Sequence, residues 1–159
     1  MSDAYESDIT VLLRQCRIGF LATTGKNGPE TSMAPYAIHH GNILLHLSRL
    51  AKHTGNIETD SSIGLMICTP ETEGNTPLAL PRLSLQGNAL PVSDKQLAAS
   101  RDTYLKVIPD AESLFSFADF QLFEVKLSHI HWVGGFGKAG NLSLEQWQII
   151  SHASQRSFT

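Results

Sequence analysis

Between Arg17 and Ser48 two turn signals interrupt three strand-like runs: Gly25-Lys26-Asn27-Gly28 and His40-Gly41-Asn42. Glycine and asparagine accept the positive φ that tight reversals need. The stretch therefore reads as an antiparallel meander, with Arg17–Thr24 running out, Thr31–His39 returning and Ile43–Ser48 running out again.

The remaining patterns fit around that meander. Ser7 or Asp8 caps a first helix carrying Ile9, Leu12 and Leu13 on one side. Lys52–Thr59 reads as a short helix and Ile63–Thr69 as a central apolar strand, followed by a loop over Pro70–Pro77. In Arg82–Leu90, Leu83, Leu85 and Ala89 alternate against Arg82, Ser84 and Gln86. Asp94–Val107 is the clearest helix, ended by Pro109. Ser113–Ala118 adds a helical turn, Phe120–Trp132 a long strand, and Gly134-Gly135-Phe136-Gly137 breaks it. Ser143-Leu144-Glu145-Gln146 opens a last helix as a capping box. Antiparallel strands with inserted helices predict a mainly β chain closed into a small barrel, since closure removes exposed edges. One domain over residues 1–150 and a flexible tail over 151–159 follow.

The segment Ser48-Arg49-Leu50-Ala51-Lys52-His53-Thr54-Gly55-Asn56 carries the strongest chemical signal. It places Arg49, Lys52 and His53 with the hydroxyls of Ser48 and Thr54 where a strand hands over to a helix, and no Asp or Glu occurs from Thr31 to Ile57. Free N–H groups and the positive end of the helix dipole, with cations and hydroxyls beside them, make a phosphate-sized anion site. The same composition also suits a solvated turn. A net charge of -3 argues against general binding to nucleic acid or acidic membranes, so the anion site is a local device. Cys16 and Cys68 show neither a CxxC nor a zinc spacing, and Cys68 reads as a buried thiol in a reducing compartment. The start of the chain lacks a signal-peptide pattern and no apolar run reaches the ~20 residues of a membrane span, which predicts a cytoplasmic protein.

Five pieces in order give a resemblance. They are Gly28–Tyr36, Leu47–Asn56, Pro81–Gly87, Asp119-Phe120 and Val133–Ala139, within a likeness running from Ile9 to Leu142. Together they resemble the FMN-binding split-barrel superfamily typified by pyridoxamine 5'-phosphate oxidase, most of all its haem-iron utilisation branch. The resemblance implies an antiparallel split barrel acting as a homodimer with cofactor sites at the interface. It implies FMN phosphate on Ser48, Arg49, Lys52, His53 and Thr54, and the flavin ring against the backbone of the second strand at Ser32, Met33 and Ala34. It implies contributions to the partner's site from Arg82, Leu83, Ser84 and Trp132. Ser32 also suits an outward strand position, and Trp132 the core or an interface. The four-residue glycine turn at 134–137 is read as a close-packing element of the dimer interface.

The departures narrow the substrate. Ala37 stands where pyridoxamine phosphate oxidases carry a Lys, and Ile108 where they carry an Arg, although Tyr104 is kept. Losing two charge-assisted contacts removes the grip on pyridoxamine phosphate, and Lys138 offers only a point charge in place of the Arg. Haem as ligand or substrate needs an axial residue, commonly His. His129, His131 and His152 are the candidates, with exposed strand histidines as the plain alternative for the first two. The expected function is that of an FMN-binding oxidoreductase connected with haem utilisation. A non-catalytic haem or flavin module and a flavin-dependent reductase of another small molecule stand as alternatives.

Overall fold

The computed structural model describes residues 3–155. Helix α1 (Asp3–Gln15) precedes β1 (Ile18–Gly25), β2 (Gly28–Pro35), β3 (Ala37–His39) and β4 (Asn42–Ser48). Helix α2 (Lys52–Thr59), β5 (Ser62–Cys68) and β6 (Arg82–Pro91) follow. Then come α3 (Asp94–Val107), a 3-10 segment (Pro109–Ser116), β7 (Phe120–Gly135), β8 (Lys138–Leu142) and α4 (Leu144–Ser154).

The strands pair in the order β2-β1-β5-β6-β7-β4-β3, every pair antiparallel, with β4 on the first part of β7 and β8 on its last part, from Ile130 to Gly135. The two ends of this path, β2 and β3, are consecutive pieces of one strand bent at Pro35-Tyr36. That bend curls the sheet into a barrel and removes its edges. The predicted single strand Thr31–His39 is thus two strands, because proline cannot donate to a ladder and Tyr36 leaves it: its N–H donates to the Arg17 carbonyl (3.0 Å) and its hydroxyl to the Cys16 carbonyl (2.6 Å). At the β3–β4 reversal both central residues have positive φ, His40 at 51° and Gly41 at 79°, as a two-residue hairpin requires. Helix α4 clamps that turn: Trp147 Nε1 donates to the Gly41 carbonyl at 2.7 Å.

Inward residues of β1, β4, β5, β6 and β7 fill the barrel, and α1 and α4 cap it with Ile9, Leu12, Trp147 and Ile150, all at most 2% exposed. A second, smaller core forms outside β4, where Leu44 and Leu122 meet Tyr104 of α3 and Ala111 of the 3-10 segment.

Several boundaries differ from the sequence reading. Helix α1 begins at Asp3, so Ser7 and Asp8 are exposed positions within it and not its cap. The turn expected at Ser113–Ala118 is a 3-10 helix that starts at Pro109. Gly134–Gly137 does not end the sheet: β7 runs on to Gly135, and a tight turn with Gly137 at φ 70° leads into β8, a strand without apolar alternation. The capping box at Ser143 is present, but α4 continues through Ser154 with Ser151 and Ser154 buried, so 151–154 are packed and not a tail. Residues 156–159 of the expected tail lie outside the described residues. Cys68 is half-buried and faces outward on β5, while Cys16 is buried; both are free thiols.

Candidate functional site

Strand β4 ends at Ser48, and the chain turns through Arg49-Leu50-Ala51 into α2. Thr54, fully buried, donates its hydroxyl to the Ser48 carbonyl at 2.5 Å, while the Leu50 N–H donates to Ser48 Oγ at 3.2 Å. Both hydroxyls therefore hold the turn itself. The N-cap of α2 is Ala51, which supplies no side-chain acceptor, so the first N–H groups of the helix stay open beside the exposed Lys52. His53 faces β2, its Nδ1 3.1 Å from Ser32 Oγ, and burial pushes its imidazole below the ordinary value. Asn56 ties the same helix to β1 and β2 through Thr23 Oγ1 (3.0 Å) and Glu30 Oε1 (3.1 Å).

Ser32 and His53 thus meet, Ser48 and Thr54 hold the turn, and Lys52 stands exposed at the start of α2. Arg49 turns away, its guanidinium donating to Gln121 Oε1 at 3.1 and 3.3 Å. Asp119, part of one of the five pieces that carry the resemblance, joins these residues. Just before β7, it accepts the Ser48 hydroxyl on Oδ2 (3.0 Å) and the Arg49 N–H on its carbonyl (2.6 Å). No local pattern shows this pairing, which spans 71 residues. An anion of phosphate size fits the cradle on its donors, an uncapped helix end with an ammonium and an imidazole. The Asp119 carboxylate is the one charge beside Ser48 that opposes it.

The other predicted residues fall elsewhere. Ala34 is buried, and Met33 points to the outer face, opposite Ser32. Leu83 is 0% exposed inside the barrel, and Trp132, its register partner, is 8% exposed against Tyr5 with ring centroids 5.8 Å apart. Neither side chain is available to a ligand, because the strand phase that puts Arg82 and Ser84 outside puts Leu83 and Trp132 in the core. Lys138 is exposed at the β7–β8 turn.

Across the outer face a cross-strand row runs Met33 (β2), Phe20 (β1), Met66 (β5), Ser84 (β6), His131 (β7) and Asn141 (β8). Phe20, Met33 and Met66 are 52, 57 and 40% exposed. A cleft of about 830 Å³ adjoins this row, lined among others by Ile18, Phe20, Pro35, Cys68, Leu80 and Ile108. His129 and His131 both lie on this face, with Nδ1 at 3.0 Å from Ser128 Oγ and 2.9 Å from Asn141 Oδ1 respectively. His152 is exposed on the last turn of α4. Among the described residues no group of three or more His, Cys, Asp or Glu gathers to hold a bare metal ion.

Ala37 and Ile108 pack in the second core, so the two positions that lack the substrate cations serve as apolar contacts. Tyr104 is also buried there, its hydroxyl pushed up to about 12 by desolvation. No helix among the described residues is long and apolar enough to cross a membrane.

The sequence profile of the CREG beta-barrel family matches residues 11–148. The chain is 30% identical over 149 residues to the chloroplastic heme oxygenase HOZ of Arabidopsis thaliana, covering 89% of this chain and 45% of that one. It is 28% identical over 130 residues to heme oxygenase HutZ of Vibrio cholerae, covering 77% of this chain and 72% of the relative. Among solved structures, a heme binding protein from Mycobacterium smegmatis superposes with a TM-score of 0.83 at 26% identity, over 94% of this chain and 62% of that chain. This chain thus spans less than half of the plant relative and less than two thirds of the mycobacterial one.

Proposed function

The chain belongs to the CREG beta-barrel family, and from that premise we propose that it binds haem and acts in haem breakdown, as a homodimer of split barrels. The observation that carries the reading is the outer row in which exposed Met33, Phe20 and Met66 lead through Ser84 to His131. Scattered exposed apolar residues are ordinary, whereas a contiguous row of large ones marks a binding surface. Two relatives named as heme oxygenases and a solved relative described as heme binding support haem as the ligand.

Bound haem supplies the iron and the ring that is broken down. The chain supplies the rest: apolar side chains that exclude water from the ring, and Arg82 and Lys138 as cations for the propionates. A second copy of the chain covers the rest of the apolar face, where Ile18 adds to the row at 47% exposure. Pyridoxamine phosphate is not the substrate in this reading, since Ala37 and Ile108 leave its phosphate without a cation.

A second reading, FMN as a cofactor of flavin-dependent redox chemistry, is favoured by one feature, the uncapped start of α2 beside Lys52 and His53. The two ligands separate in one experiment. Protein reconstituted with ferric haem and given ascorbate in air is followed by absorbance, with an iron chelator present. Loss of the Soret band with release of chelatable iron supports haem breakdown. Bound haem that stays intact under these conditions refutes it. Mass spectrometry of the ligand released from freshly purified protein decides whether FMN is carried.

A further inference from the structure

The chain has two cysteines, and the fold brings them together. Cys16 stands in the link between α1 and β1, and Cys68 closes β5. They are 52 residues apart in sequence, yet Cys16 Sγ donates to the carbonyl of Cys68 at 3.5 Å. Cys68 Sγ in turn donates to the Thr69 carbonyl at 3.4 Å. Both are free thiols, and both line the cleft of about 830 Å³ beside the outer row. We propose that this pair is a redox-sensitive modification site, at which hydrogen peroxide entering the cleft converts Cys16 and Cys68 into a reversible disulfide. The pair does not depend on which ligand the outer face takes.

Backbone bonds hold both residues in place. The Cys16 N–H donates to the Leu12 carbonyl at 3.0 Å, and the Cys16 carbonyl accepts the Tyr36 hydroxyl at 2.6 Å. Just past Cys68, the Thr69 N–H and hydroxyl both donate to the Pro81 carbonyl at 3.0 Å. The β1–β5 ladder runs from Thr23–Ile63 to Phe20–Met66, so both cysteines lie beyond its end. Their side chains can turn toward each other without breaking a bond of that ladder. A disulfide needs Cα atoms about 4.4–6.8 Å apart, and a sulfur in contact with its partner's own main chain has little distance left to close. The S–H bonds given up are weak ones. A pair placed only to fill the core would be buried on both sides, whereas Cys68 is half-buried and faces outward.

Exposure assigns the order of events. Cys68 is the more open thiol and meets peroxide first. Cys16 is 6% exposed, and burial, followed by the nearness of Cys68, pushes its thiol above the ordinary value. The Cys68 sulfur attacks peroxide: an S–O bond forms, the O–O bond breaks, and a sulfenic acid and water result. In that step the sulfur is oxidised and the peroxide reduced. The Cys16 sulfur then displaces the hydroxyl. The S–S bond forms, the S–O bond breaks, and the Cys16 proton leaves with the hydroxyl as water. A dithiol such as dithiothreitol reverses the bridge by exchange and is itself oxidised. The bridge ties the end of α1 to the end of β5 across the wall of the cleft.

The test takes the full chain, reduced and then freed of reductant, and exposes it to hydrogen peroxide before denaturing alkylation and mass spectrometry. The expected product is a single chain that has lost two hydrogens and takes up no alkyl group. Its digest joins the peptide of Cys16 to the peptide of Cys68, and dithiothreitol restores both alkylation sites. In Cys16→Ser, Cys68 stops at the sulfenic acid and is captured by dimedone. In Cys68→Ser, Cys16 stays unreacted and is alkylated once the chain is unfolded. Circular dichroism verifies that both variants fold, and the wild-type masses decide the matter without them. A wild-type chain that still takes up two alkyl groups after peroxide overturns the proposal. Bridging between chains through Cys68, or a sulfinic acid on Cys68 with Cys16 still free, overturns it as well.

Discussion

Replacing His46 with Phe removes an ionisable group from the aromatic cluster of the second core. The imidazole stacks on Phe115 (3.8 Å, 9° between planes), with Phe120 at 5.2 Å and the edge of Tyr104 at 5.7 Å. Its Nδ1 is buried and has no hydrogen-bond partner among the described residues. The Arg101 guanidinium lies 5.3 Å over the Phe115 ring. Burial lowers the His46 pKa from 6.5 to about 4. Between these values the unfolded chain binds a proton that the folded chain does not. The neutral ring's contribution is therefore full above pH 6.5 and is lost as pH falls toward 4. At 1.36 kcal/mol per pKa unit the whole effect is about 3 kcal/mol, of which about 2 kcal/mol has gone by pH 5. Phe fits the same stack and does not titrate. Urea unfolding of wild type and His46→Phe at pH 7.5 and pH 5 isolates the term, because all other groups are common to both. The wild type is expected to lose about 2 kcal/mol more than the variant over this interval. Equal losses in the two proteins refute the reasoning and place the imidazole in contact with water.

Lys52→Ala combined with His53→Ala removes two donors from the α2 cradle, and FMN affinity measured by fluorescence quenching is expected to fall at least about tenfold; unchanged affinity places the phosphate elsewhere. Phe20→Glu sets a charge in the middle of the outer apolar row, and sedimentation velocity is expected to show a dimer for the wild type and a monomer for the variant. Gly87→Ala is expected to lower stability by more than about 2 kcal/mol. At this bulge in the β6–β7 pairing a Cβ meets the Lys126 carbonyl oxygen at 2.3 Å, and backbone cannot swing aside. Thermal unfolding by circular dichroism checks it.

What the sequence made legible was local. Turn residues, helical spacing and breakers act within a few residues, so α2 and α3 are found at Lys52–Thr59 and Asp94–Val107 as read, and the Ser143 capping box is formed. β8 was missed because Lys138–Leu142 has no alternation and becomes a strand only by pairing with β7. Leu83 lies in the core, and Trp132 takes the core position that stood beside flavin contact as its alternative: period two says that neighbours face opposite ways, not which face is core, and the outer face of β6 is lined by Arg82, Ser84 and Gln86. The contacts that complete the cradle, Ser32 with His53 and Asp119 with Ser48, join residues 21 and 71 apart, which no local signal encodes. The row from Met33 to His131 gathers five strands and exists only once the register is known.

The most direct test of the account is equilibrium binding of ferric haem to the purified chain, followed at the Soret band. A saturable, stoichiometric Soret change at micromolar haem or below, with the band position of a histidine-ligated haem, is the result predicted. A spectrum no different from that of free haem at the same concentration contradicts it.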